Sequence, residues 1–163
     1  MKVEDLTDDQ VQAIAELLET ARQELEHRRG GPDLVRELFG GIELLSLENT
    51  RGLLGELASL VFIAPESGSG AFLGTVRLEG TRGHLGIYVS PEARSEGLGT
   101  ALFREVLAAA RREGARSFDV LVLPGDRPMK QICENAGLKA RKLTMALNDA
   151  PHEPADAEVG EES

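Results

Sequence analysis

Residues 85–107 read LGIYVSPEARSEGLGTALFREVL, a run of strand formers handed to a helix through a glycine-rich link. His84 to Val89 has the composition of a strand, and Ser90-Pro91 ends it. Beyond the link, Leu98, Leu102, Val106, Leu107 and Ala110 recur at helical spacing until Gly114. Phe118 to Leu123 (FDVLVL) is then nearly all apolar, as a strand buried on both faces is, and a crossover through the helix sets it parallel to the strand before it. The result is a β-α-β unit. Working outward, Asp126 is placed to cap a helix running through Ala136, with Pro128 in its first turn and Gly137 at its end, and Arg141 to Leu147 alternates as a last strand. On the other side, Leu60 to Ala64 (LVFIA) and Ala71 to Glu79 (AFLGTVRLE) flank PESGSG and read as an antiparallel hairpin. Further back, Val11, Ile14, Leu17, Leu18, Ala21 and Leu25 mark an amphipathic helix from Asp8 to about Arg28, which Gly30 and Gly31 stop. Leu34 to Phe39 and the periodic stretch holding Leu47, Leu53, Leu54, Leu57 and Leu60 are read as two more helices. The predicted fold class is α+β, a mixed but mainly antiparallel sheet flanked by helices around the central β-α-β unit.

A chain of 163 residues supports one core. We expect one domain over residues 1–148, helical to about residue 59 and sheet-forming from about residue 60. With 41% hydrophobic and 28% charged residues, and no long apolar run, the sequence is not that of a membrane protein. The opening MKVEDLTDDQ lacks the features of a secretory signal, which predicts a cytoplasmic protein. One cysteine and three histidines give neither a disulfide nor a metal-ligand set, so no metal is expected. A net charge of −10 argues against nucleic-acid binding. Six of the acids lie in residues 149–163 (DAPHEPADAEVGEES), which hold no Lys or Arg and read as a disordered, solubilising tail.

The link itself carries chemistry. Arg94, Ser95, Glu96, Gly97, Leu98, Gly99 and Thr100 stand where a strand passes into a helix, and the first amides of that helix have no partner within it. Glycines at 97 and 99 leave those amides approachable, Arg94 adds charge and Thr100 a hydroxyl, a pattern suited to a diphosphate. The alternative for the same residues is a tight turn with nothing bound.

LGIYVSPEARSEGLGTALFREVL resembles the acetyl-CoA-binding signature of the GNAT superfamily of N-acetyltransferases, and the resemblance extends over about residues 60 to 147. It implies that Arg94 to Thr100 wrap the CoA pyrophosphate and that the exposed backbone of Ile87, Tyr88 and Val89 aligns the pantetheine arm. The strands HLGIYV and FDVLVL would splay apart to admit the thioester. The first helices would shape the acceptor pocket, and the chain differs from many members in opening with a long helix instead of a strand. Where members often carry N-x-x-A-x-x-L-Y-E-x-x-G-F, this chain has DRPMKQICENAGL, which puts Asp126 at the Asn position and Cys133 at that of the Tyr that commonly protonates the departing thiolate. PGDRPMK is also similar to an uncharacterised bacterial subgroup with a PGDR-x-x-K stretch. There Arg127 and Lys130 would help hold the 3′-phosphate or adenine end of CoA; an exposed helix face explains both equally well.

Amide formation needs a neutral amine, an oriented thioester and a route for protons. The resemblance places the usual base at Leu85 or Gly86, neither of which takes a proton. His84 on the same strand titrates in the right range, Glu79 and Glu43 are further acids, and a water relay to a distant acid would also serve. The competing reading of His84 is a strand-end histidine, and that of Cys133 a small buried hydrophobe. Tyr88 faces either the cleft or the opposite layer. The expected function is acetyl-CoA-dependent transfer of an acetyl group to a primary amine in a ternary complex. The alternative is a catalytically reduced acyl-CoA-binding sensor or scaffold. An acidic body favours a cationic acceptor, whether an aminated metabolite, a polyamine, an aminoglycoside-like compound or a protein amine, and the protein is expected as monomer or homodimer.

Overall fold

Thr7 starts the first long helix, α1 (Asp8–Glu26), through a capping box. Its hydroxyl accepts from the Gln10 amide at 3.2 Å and the Gln10 side chain accepts from the Thr7 amide at 2.9 Å. The computed structural model describes residues 1–44, 46–64, 72–91, 94, 97–142 and 145. The apolar stripe of α1 buries Val11, Ile14, Leu17 and Ala21 as its periodicity requires. Helices α2 (Gly31–Phe39) and α3 (Leu47–Leu57) follow, α2 with Pro32 in its first turn and α3 capped by Ser46. Ala58 is already extended, so α3 stops at Leu57, and Leu60, counted at sequence level in the helical period, belongs to the first strand.

The sheet has the order β1 (Leu60–Ala64), β2 (Phe72–Glu79), β3 (Arg82–Val89), β4 (Ser117–Val120). The first two pairings are antiparallel, and β3 pairs in parallel with β4 across helix α4 (Leu98–Arg112), which is the β-α-β unit expected. Alternation along the strands divides the core. Val61 and Leu73 pack with Val11, Ile14 and Leu17 of α1 and Leu54 of α3 on one face. Val76 and Leu85 pack with Leu102, Phe103, Val106 and Leu107 of α4 and with Cys133 of α5 (Arg127–Asn135) on the other. The sheet lies between an α1–α3 layer and an α4–α5 layer.

Three expectations change. First, strand β4 ends at Val120 instead of Leu123. Second, the chain does not open directly on its long helix. Lys2 forms an antiparallel bridge with Leu60, and the Val61 amide donates to the Met1 carbonyl at 2.8 Å, so a rudimentary strand lines the β1 edge before a 3-10 turn at Val3–Asp5. Third, Arg141, Lys142 and Met145 stand in no strand, and the remainder of the expected last strand, like the 65–70 turn and the 149–163 tail, lies outside the described residues.

Candidate functional site

Strand β3 is paired with β2 along its whole length, out to Phe72 opposite Val89. Its pairing with β4 stops earlier, at Leu85 opposite Val120. Strand β4 therefore accompanies β3 only from Arg82 to Leu85, and Leu121, with two-thirds of its surface exposed, has left the sheet. The two parallel strands thus part over the segment expected to admit a thioester.

Helix α4 begins beyond this gap with Gly97 at its N-cap and, among the described residues, no side-chain cap. Its first amides are turned toward the helix end that carries partial positive charge, so the residues present fit an anion. The two glycines serve different needs. Gly97 takes φ +73°, and a Cβ there would project into open space, so backbone conformation is what selects glycine. At Gly99 a Cβ would meet Ile132 Cδ1 at 3.2 Å and Val89 Cγ2 at 3.7 Å, so its missing side chain lets α5 close on the start of α4 beside the end of β3. Thr100 lies in the first turn of α4, half-buried, next to Leu98 and Gly99. Ser95 and Glu96 lie outside the described residues.

The Arg94 guanidinium is engaged by protein. Its Nε donates to the Val89 carbonyl at 3.0 Å, its Nη2 lies 2.5 and 2.6 Å from the two Glu24 carboxylate oxygens, and its Cζ sits 5.7 Å from the centre of the Tyr88 ring. Tyr88 donates its hydroxyl to Glu24 at 3.3 Å and packs on the α1 side, which answers which layer it faces. Arg28 donates to Glu24 Oε2 at 2.9 Å and pairs with Asp126 at 3.2 Å. Partial burial works to raise the Glu24 pKa, but the hydrogen bond and charge of Arg94, the charge of Arg28 and the Tyr88 hydroxyl outweigh it and hold the carboxyl below its ordinary value. Burial likewise works against the charged form of Arg94, and Glu24 reverses that, keeping its pKa above the usual arginine range. A carboxyl depressed in the folded state stabilises the fold fully above its unfolded pKa and progressively less as pH falls through the folded value. Wild type is thus expected to lose stability relative to Glu24→Gln as pH drops below the ordinary carboxylate range. Parallel loss of stability in both proteins on acid titration followed by circular dichroism would contradict this.

The remaining candidates are dispersed. His84 pairs with Asp119 one residue below the last β3–β4 pair, with Nδ1 2.6 Å from Asp119 Oδ1 and Nε2 3.1 Å from Glu79 Oε2. Both ring nitrogens face carboxylates, beneath the gap and not in it. Cys133 is buried in the α4–α5 core; desolvation first, then the charges of Asp126 and Glu134, push its thiol pKa up, so it stays protonated at neutral pH. Asp126 caps α5 by accepting from the Met129 amide at 3.2 Å while it pairs with Arg28. Arg127 and Lys130 are exposed on α5, with Lys130 3.7 Å from Glu134. Glu43 is exposed in the turn before α3. Sequence reasoning missed Glu24, because α1 carries several acids and nothing in its period distinguishes one from a solvated face, and Arg28 and Asp119, whose partners Asp126 and His84 lie far away in the sequence.

Residues 33–137 match the family described as Acetyltransferase (GNAT) family. No curated protein matches the chain closely enough to count as a relative. Among solved structures, the fold is similar to a putative acetyl transferase from Pyrococcus furiosus at 22% identity and TM-score 0.58, covering 83% of this chain and 93% of that one. It is similar also to the aminoglycoside acetyltransferase meta-AAC0020, from an uncultured soil metagenomic sample and in complex with sisomicin, at 12% identity and TM-score 0.59, covering 90% of this chain and 93% of that one. A mutant form of the BH1408 protein from Bacillus halodurans is similar at 16% identity and TM-score 0.59, covering 86% of this chain and 96% of that one.

Proposed function

Since the chain belongs to the acetyltransferase (GNAT) family, we propose that it transfers the acetyl group of acetyl-CoA to a primary amine by direct attack while both are bound. The observation that carries this reading is the start of α4, with a glycine at its N-cap, placed directly beyond the point where β4 parts from β3. The α4 amides receive the diphosphate, and the backbone of Ile87, Tyr88 and Val89 aligns the pantetheine arm. The amine nitrogen bonds to the acetyl carbon, the carbon–sulfur bond breaks, and the amine gives up a proton as the thiolate gains one.

Within this proposal Cys133, a thiol kept protonated by its surroundings, is the candidate donor to the thiolate. His84, beneath the gap, is the candidate acceptor of the amine's proton through water, for which one ring nitrogen must give up its contact with Asp119 or Glu79. Arg127 and Lys130, exposed on α5, supply charge for the 3′-phosphate end of CoA. The acceptor is a cationic amine, small molecule or protein side chain, in keeping with the net charge of −10. A second reading, an acyl-CoA binder of reduced activity, is favoured by one observation: Leu85 and Gly86 stand where a strand acid would act, and neither titrates.

Calorimetric titration of acetyl-CoA, followed by thiol release against a panel of polyamines, aminoglycosides and lysine peptides, tests both. Binding with release supports the transferase and binding without release the sensor. Absence of binding overturns both.

A further inference from the structure

Four alternating charges run across the open end of the cleft. Arg94, fixed to the last carbonyl of β3 and lying over Tyr88, meets Glu24; Glu24 meets Arg28; and Arg28 meets Asp126, the cap of α5. The first charge, Arg94, is held to the end of β3, and the last, Asp126, belongs to the segment that follows β4. What joins them is the C-terminal end of α1 and the turn that follows it: Glu24 lies in the last turn of the helix, and Arg28, two residues past its end, donates back to Glu24 at 2.9 Å. Backbone packing repeats the bridge: a Cβ added at Gly30, just after Arg28, would lie 3.6 Å from Pro124 Cδ and 3.9 Å from Leu123 Cδ2. None of these side chains is fully exposed, with Glu24 at 24%, Arg28 at 35%, Asp126 at 23% and Arg94 at 40%. Partial shielding from water makes such a chain stiffer than an isolated surface pair.

We propose that Glu24 and Arg28 are positioning residues for acetyl-CoA: by tying Arg94 and the start of α5 to the C-terminal end of α1 and the turn after it, they set the spacing between the two walls that receive the thioester. The proposal rests on the reading that acetyl-CoA binds in this cleft. Arg94 accordingly spends its side chain on holding the loop, and the amides of α4 are left to meet the diphosphate.

The experiment is calorimetric titration of acetyl-CoA into wild type, Glu24→Gln, Arg28→Met and Arg28→Lys, with melting curves of each. Expected are acetyl-CoA Kd values raised about tenfold in Glu24→Gln and Arg28→Met, recovery of most of the affinity in Arg28→Lys, and melting temperatures within a few degrees of wild type. With a turnover assay in hand, the loss should appear in KM for acetyl-CoA and leave kcat largely intact. Should Glu24→Gln fail to fold, the Arg28 pair decides. Wild-type affinity in both disrupting variants overturns the proposal. Tighter binding in Glu24→Gln overturns it as well, since it would mean that Glu24 competes with the diphosphate for Arg94. Failure of the functional reading itself appears separately, as wild type that does not bind acetyl-CoA.

Discussion

Gly97→Glu is expected to abolish acetyl-CoA binding, weakening it by at least about a hundredfold, or ~2.7 kcal/mol. Gly97 is the N-cap of α4, where no described side chain caps the helix and where a Cβ would point into open space. A carboxylate there places a negative charge at the end of the helix that favours anions, neutralising its partial positive charge and repelling a diphosphate. Strain must be separated from charge, because φ at this position is +73°. Alanine in the left-handed region costs roughly 1–2 kcal/mol of stability and adds no charge, so Gly97→Ala should melt lower and still bind. Cys133→Ser, buried in the α4–α5 core away from the loop, should leave binding nearly unchanged. Wild-type affinity in Gly97→Glu by calorimetry would remove the anion site from the account altogether.

The β-α-β unit is legible in the sequence because each of its signals is local. Ser90-Pro91 ends a strand, Gly97 starts a helix, and the α4 residues Leu102, Val106 and Leu107 hold one face, all within the span of a few turns. The length of β4 is not legible. Leu121, Val122 and Leu123 are as apolar as Val120, and whether they join the sheet depends on β3 parting from them, which composition does not record. The rudimentary strand at Met1–Lys2 escapes notice for a related reason, since two residues carry no period. Arg94 stands out in the sequence as a residue of the glycine-rich link, but its partner lies seventy positions earlier in the chain. Charge pairing across such separations is set by tertiary packing, and Glu24 among Glu16, Glu19 and Glu26 offers no local mark. Gly99 shows the same limit: its place in the pattern is plain, whereas its contact with Ile132 requires α5 to be in position.

Gly31→Ala is expected to destabilise the protein by about 3 kcal/mol, in the upper part of the range for single substitutions. The sequence marks Gly30 and Gly31 alike as a helix stop, but the structure uses them differently. Gly30 has φ +76° and turns the chain between α1 and α2. Gly31 is buried, and an added Cβ would lie 1.6 Å from the Leu25 carbonyl oxygen and 2.6 Å from its carbon. Those atoms belong to the backbone of α1, so no rotamer change relieves the overlap and the two helices must move apart. For a domain of this size the loss corresponds to a fall in melting temperature of roughly 6–12 °C, against a few degrees for Gly30→Ala, where backbone strain is the main cost. The corner also carries Glu24 and Arg28. Moving it should weaken acetyl-CoA binding beyond what Gly30→Ala does, at temperatures where both variants remain folded. If Gly31→Ala melts with wild type, the α1–α2 corner is looser than its contacts require, and the bridge across the cleft loses its support from below.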